Sequence, residues 1–127
     1  MKNKLYKEII EKYIEAYNSF DIEKMLSDMH DNVRFENISN GEITMTTNGI
    51  TELKNQAEQA KQYFTEREQR LTNIGFNNDQ VEIDIDYKGI LAIDFPNGLK
   101  AGDKIELRAK SIFKFKDDKI IEFRDIS

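Results

Sequence analysis

"VEIDIDYKGILAIDF", Val81 to Phe95, decides the fold. Val81, Ile83, Ile85, Tyr87, Leu91, Ile93 and Phe95 take one set of alternate positions, and Glu82, Asp84, Asp86 and Lys88 take the other. A period of two is that of a strand with one buried face and one wet face. The loop "PNGLKAG" follows with the only proline, and then "DKIELRAKSIFKF" repeats the period. There Ile105, Leu107, Ala109, Ser111, Phe113 and Phe115 share a face. "DDK" reads as a tight turn, and "IIEFRDIS" closes the chain with Ile121, Phe123 and Asp125 on one side. On the upstream side, "REQRLTNIGF" reads as a weaker, polar strand. Together these stretches predict four consecutive antiparallel strands. If Phe95 pairs with Asp103, Asp84 faces Lys114, Glu82 faces Lys116, and Gly89 meets Ala109 on the inner face.

The first half has the helical period. Leu5, Ile9, Tyr13, Ala16, Tyr17 and Phe20 form a stripe over residues 5–20, widened by Tyr6, Ile10 and Ile14. Asp21 is placed to cap a second, shorter helix with Ile22, Met25, Leu26 and Met29 on its apolar face and His30 in its last turn. Val33, Phe35 and Asn37 then alternate with Arg34, Glu36 and Ile38, and "EITMTT" is the return of a small hairpin. Ile50, Leu53, Ala57, Ala60 and Phe64 predict a third helix. Helices gathered on one face of an antiparallel sheet make an α+β domain.

The chain has 127 residues, enough for a single domain, 1–127, which at that length buries about two-thirds of its unfolded surface. There is no cysteine, which excludes disulfides, thiolate chemistry and Cys–zinc sites, and a single histidine argues against a His-rich metal site. The net charge of −5 argues against duplex nucleic acid, which is bound by phosphate neutralisation. In "LRAKSIFKFK" the charges and the rings fall on opposite faces of a strand, whereas a single-strand binder needs them on one. Glu82, Asp84 and Asp86 point in parallel along a strand, and a calcium site needs converging oxygens, so no metal or cofactor is expected. No apolar run reaches membrane length, and the N-terminus lacks a signal-type apolar region. The expectation is a soluble, cytoplasmic protein with neither membrane nor nucleic acid as a partner.

"KYIEAYNSFDIEKMLSDMHDNVRFEN", "NGITELKNQA" and "KIELRAKSIFKFKDDKIIEFRDIS" together resemble the nuclear transport factor 2-like superfamily, which holds the SnoaL-like polyketide cyclases and the ketosteroid isomerases. The similarity covers nearly the whole chain. The resemblance implies three N-terminal helices packed on a strongly curved antiparallel sheet, a cone-shaped α+β barrel of cystatin-like topology. It also implies an apolar cavity in the cone and a dimer formed through the outer sheet face, where Ile90, Ala92 and Ile112 would make a modest patch.

An isomerase of this kind needs a carboxylate base and donors for an enolate oxygen. By the resemblance, Tyr13 keeps the family's tyrosine donor. Asn37 stands where the aspartate base lies, and an amide takes up no proton at neutral pH. Ser111 stands where a protonated aspartate donor lies. Ketosteroid-isomerase chemistry in that form is therefore excluded, as are dehydratases that use two histidines. SnoaL-like cyclases carry an acid on the last strand, and Asp125 matches it, inward by periodicity and beside Ser111 if Phe115 pairs with Ile121. In an apolar pocket such an acid gains proton affinity.

His30 either sits against a helix dipole or faces the cone mouth. Adjacent residues on a helix diverge by about 100°, so Asp125 is a better partner for His30 than Asp31 is. Tyr17, Phe35, Met45, Phe64, Tyr87 and Phe113 are the expected apolar lining. Two functional readings follow. In the first, the domain binds a small hydrophobic molecule, and Asp125 and His30 transfer protons in a cyclase, isomerase or dehydratase reaction, with Tyr13, Asn37 and Ser111 orienting the ligand. In the second, the domain is a non-catalytic ligand-binding or dimeric protein-interaction module.

Overall fold

The computed structural model describes residues 2–127. The order is α1 (Asn3–Asn18), α2 (Ile22–Leu26), β1 (Met29–Ser39), β2 (Glu42–Asn48), α3 (Ile50–Lys61), β3 (Phe64–Asn77), β4 (Gln80–Leu91), β5 (Lys104–Lys116) and β6 (Lys119–Ile126). One α+β layer pair results, with three helices on a curved, mostly antiparallel sheet. The small hairpin expected among the helices joins that sheet, which has six strands in the order β2-β1-β6-β5-β4-β3. β1 and β6 run parallel, an exception to the antiparallel expectation. The last strand adds to the free side of the first and so joins the β1–β2 hairpin to the strands β3 to β5. On the outer face Glu36 is buried between Arg34 and Arg124, each at 3.1 Å, which ties β1 to β6.

Local chemistry sets most of the boundaries. Asp21 accepts a hydrogen bond from the Lys24 backbone N–H at 3.1 Å and caps α2. Gly49, at φ 87°, opens α3, and Glu52 folds back to accept from the Asn48 N–H at 3.0 Å. Asp117 and Asp118, at φ 54° and 60°, make the two-residue turn between β5 and β6. On α1 the buried stripe runs through Tyr6, Ile9, Ile10, Tyr13 and Ile14, whereas Leu5 is exposed.

Three expectations need correction. The strand of residues 81–95 ends at Leu91, because residues 92–103 form a loop tied by its own side chains. Asp94 Oδ1 accepts from the Ala101 N–H and Asp103 Oδ2 from the Lys100 N–H, both at 2.9 Å. Asp103 thereby meets Leu91 rather than Phe95. Asp84 pairs with Lys110, Glu82 bonds Lys110 at 2.6 Å, and Gly89 pairs with Ile105. The space inside Gly89 is filled by Phe64, whose ring would lie 2.9 Å from any added Cβ. Second, Phe64 starts β3 and does not end α3, since the helix stops at Lys61. Third, His30 is on β1, not in the last turn of α2, which stops at Leu26.

The bends come from irregular pairing. The ladder slips within β1–β2, β1–β6, β3–β4 and β5–β6, and each slip adds twist and curvature. The slip in β5–β6 pairs Phe115 with Ile120 instead of Ile121, yet returns Ser111 to Asp125. The core lies between α1, α2, α3 and the concave face. Its centre is aromatic: Phe123 stacks on Phe113 with ring centres 5.7 Å apart, tilts against Phe35 at 4.6 Å and meets the edge of Tyr13 at 5.7 Å. Val81, Ile83 and Ile10 complete the packing with almost no exposure.

Candidate functional site

Two rows of side chains cross the concave face. Strand register aligns Thr47, Phe35, Phe123, Phe113 and Val81 in one row, and Met45, Asn37, Asp125, Ser111 and Ile83 in the next. The first row is packed under the helices, where Phe35 and Phe123 also border a hollow. The second borders two neighbouring hollows, of about 360 Å³ and about 260 Å³, both of which Asp125, Asn37, Tyr17 and Phe64 help to line.

Asp125 is the acid of this wall. Burial pushes its carboxyl up to about 6, and the Ser111 hydroxyl, donating to Oδ1 at 2.7 Å, tempers the rise. A carboxyl with that affinity exchanges its proton readily near neutral pH. Tyr13, on α1, projects into the larger hollow. Its hydroxyl has no hydrogen-bond partner among the described residues. Burial first, and Asp125 next, hold it well above the ordinary phenol range. It is therefore a permanent donor, free to bond an occupant.

Tyr17 and Tyr87 share one hydrogen bond, 2.9 Å between oxygens, and line the smaller hollow. Burial raises both phenols. Asn37 is turned partly to its own hairpin, where its Nδ2 donates to Thr44 Oγ1 at 2.8 Å. Phe35 and Met45 line the larger hollow, and Ser111 the smaller.

Two of the named residues lie apart. Phe113, 1% exposed, is packed under Tyr13 and Phe123 and lines neither hollow. His30 also lines neither; its Nδ1 accepts from the Asn32 N–H at 3.0 Å, and the neighbouring Met29 takes the inward position. The His30–Asp125 pair is not formed. On β4, Glu82 is taken by Lys110 and Asp86 by Arg70, each at 2.6 Å. Among the described residues, no three or more histidine or acidic side chains gather as metal ligands would.

One functional group was missed in the sequence. Arg67, on β3, is 6% exposed and lines the larger hollow. It sat unnoticed in a run of charges, Glu66, Arg67 and Glu68. The available signal was alternation, which puts Arg67 and Gln69 on the face shared with Leu71.

Residues 10–123 match the model of the SnoaL-like domain family. The chain belongs to that family. Solved structures agree on the fold of this SnoaL-like domain. A polyketide-cyclase candidate from Xanthomonas campestris pv. campestris superposes with a TM-score of 0.86 at 15% identity, covering 100% of this chain and 93% of its own. A SnoaL-like polyketide-cyclase candidate from Jannaschia sp. CCS1 gives 0.81 at 16%, covering 96% and 84%. An LEH-like epoxide hydrolase from M. tuberculosis gives 0.78 at 14%, covering 99% and 84%. Comparison with curated protein sequences gives no match. Among the described residues, no helix of the SnoaL-like domain is long and apolar enough to cross a membrane.

Proposed function

We propose that the hollow binds a small, largely apolar organic molecule bearing a carbonyl, and that Asp125 moves a proton at the carbon beside that carbonyl. The observation that carries this reading is a carboxyl poised at about 6 in the wall of a ligand-sized hollow, next to an unpaired phenol. The ionised Asp125 takes the C–H proton, and the electron pair of that bond passes to the carbonyl oxygen. The Tyr13 O–H donates a hydrogen bond to the resulting enolate. Where a double bond is conjugated with the enolate, return of the proton from Asp125 to its far carbon gives an isomer; where the enolate carbon attacks a second carbonyl, a ring closes and the new alkoxide takes that proton instead. Ser111 orients the acid, and Phe35 and Phe123 hold the apolar body of the ligand.

Exchange of the α-hydrogens of 2-tetralone with deuterium, followed by NMR, tests this step without requiring the natural substrate. The protein accelerates exchange, with a rate that rises through pH about 6 as Asp125 ionises. Asp125→Asn lowers the rate by about 10²–10⁴-fold, the range usual for loss of a general base. Equal rates for both proteins would favour the second reading, binding without chemistry, which Asn37 supports by placing an amide on β1. For the partner surface, we propose a homodimer through the outer sheet face, where Ile90 and Ile112 remain partly exposed while Ala92 falls in the loop beyond β4, in a protein working in the cytoplasm. Light scattering on a size-exclusion column gives twice the chain mass; a monomer at high concentration refutes the dimer.

A further inference from the structure

Arg67 is a buried cation without an anion. An arginine side chain carries its positive charge on a planar guanidinium with five N–H donors. None of the ion pairs among the described residues includes it. Nε donates to the Tyr17 carbonyl at 2.9 Å, and Nη2 lies 3.9 Å from the Met25 sulfur, a weak acceptor. Nη1 has no hydrogen-bond partner among the described residues. The Tyr17 and Phe20 rings lie 3.7 and 4.5 Å from Cζ and hold the group by its faces. What remains for a partner is the outer edge of the fork, on a residue that lines the larger hollow. Glu66 and Glu68, its neighbours on β3, are exposed and alternate to the other face.

A desolvated charge is unfavourable unless something supplies the opposite one. The rings and the Tyr17 carbonyl fix the group in place beforehand, so a ligand meets an ordered fork that matches a carboxylate with two parallel N–H···O bonds. The Arg67 field reaches Tyr13, as does that of Asp125, with opposite effects on its phenol. The hollow is therefore polarised, with a cation on β3 and an acid on β6.

Resting on the reading of this hollow as a ligand site, we propose that Arg67 anchors a carboxylate of the ligand, so that the ligand class is an apolar organic acid. Its charged group sits on Arg67, its apolar body against Phe35 and Phe123, and its reactive carbon near Asp125.

Titration calorimetry of the full chain with 2-naphthoate and with 2-naphthamide tests this, since the two share one apolar body. The wild-type protein binds the acid about 10–100-fold more tightly than the amide, as a charge-assisted pair requires. Arg67→Met abolishes that preference and leaves amide binding in place. Arg67→Lys, a second variant that keeps the charge and loses the fork, narrows the preference without erasing it. Equal affinities in the wild type, or a preference undiminished in Arg67→Met or Arg67→Lys, overturn the anchor and leave the hollow as a ligand site. Binding of neither probe, together with no tetralone exchange, overturns both.

Discussion

Asp125→Asn stabilises the protein at pH 8, by about 2–3 kcal/mol, and does nothing at pH 3. The carboxyl is raised from 3.8 to about 6 in the fold, and each pH unit between the two values is worth about 1.4 kcal/mol. Below the unfolded value both states hold the proton, and the buried group carries no charge penalty. Between about 4 and 6 the folded state keeps a proton that the unfolded chain has released, so stability falls as pH rises. Above about 6 both are ionised and the penalty is complete. The amide keeps the shape and the Ser111 hydrogen bond but cannot ionise, so the variant is flat across this window. Urea unfolding at pH 3, 5 and 8 measures the difference. A variant less stable than wild type at pH 8 contradicts a desolvated Asp125.

Phe113→Ala has the largest effect on stability, a loss of about 3–5 kcal/mol and about 10–20 °C in melting temperature for a domain of this size. Its ring is 1% exposed between Phe123, Tyr13 and the sheet. Because Phe113 lines neither hollow, the variant binds 2-naphthamide normally at temperatures where it stays folded. A loss under about 1 kcal/mol in denaturant melts means the ring is not in the core.

The sequence revealed different parts of this molecule to different depths. Period two in β4 and β5 and period 3.6 in α1 and α3 describe which face is buried, and on β6 the same holds for Phe123 and Asp125, whereas the slip in the ladder buries Ile120 in place of Ile121. Asp125 pointed inward on the same ground, and its neighbour Ser111 followed from pairing. Register did not follow. The loop of residues 92–103 is held by Asp94 and Asp103, whose bonds to the backbone have no periodic signature. Phe64 fits a helical spacing from Ile50 to Phe64, so pattern alone places the helix end one turn late. His30 fits the last turn of α2 as well as the first residues of β1, and only the structure separates them.

Arg67 marks the limit more sharply. A charge in a charged run reads as solvent-facing, and its burial comes from Tyr17 and Phe20 on α1 and the turn after it. Those contacts span about fifty residues of chain, and no local pattern encodes them. The polar residues that the family resemblance named, Tyr13, Asn37 and Ser111, do assemble around the concave face. The acid of the site, Asp125, lies on β6, one strand across from Asn37 and directly paired with it.

A carbon-13 NMR titration of the Asp125 side-chain carboxyl, assigned by comparison with Asp125→Asn, tests most directly whether this wall holds a working acid. The protonation midpoint falls near 6. A midpoint near the ordinary 4 would mean that the carboxylate is bathed in water, and the hollow would then lack the group on which its chemistry depends.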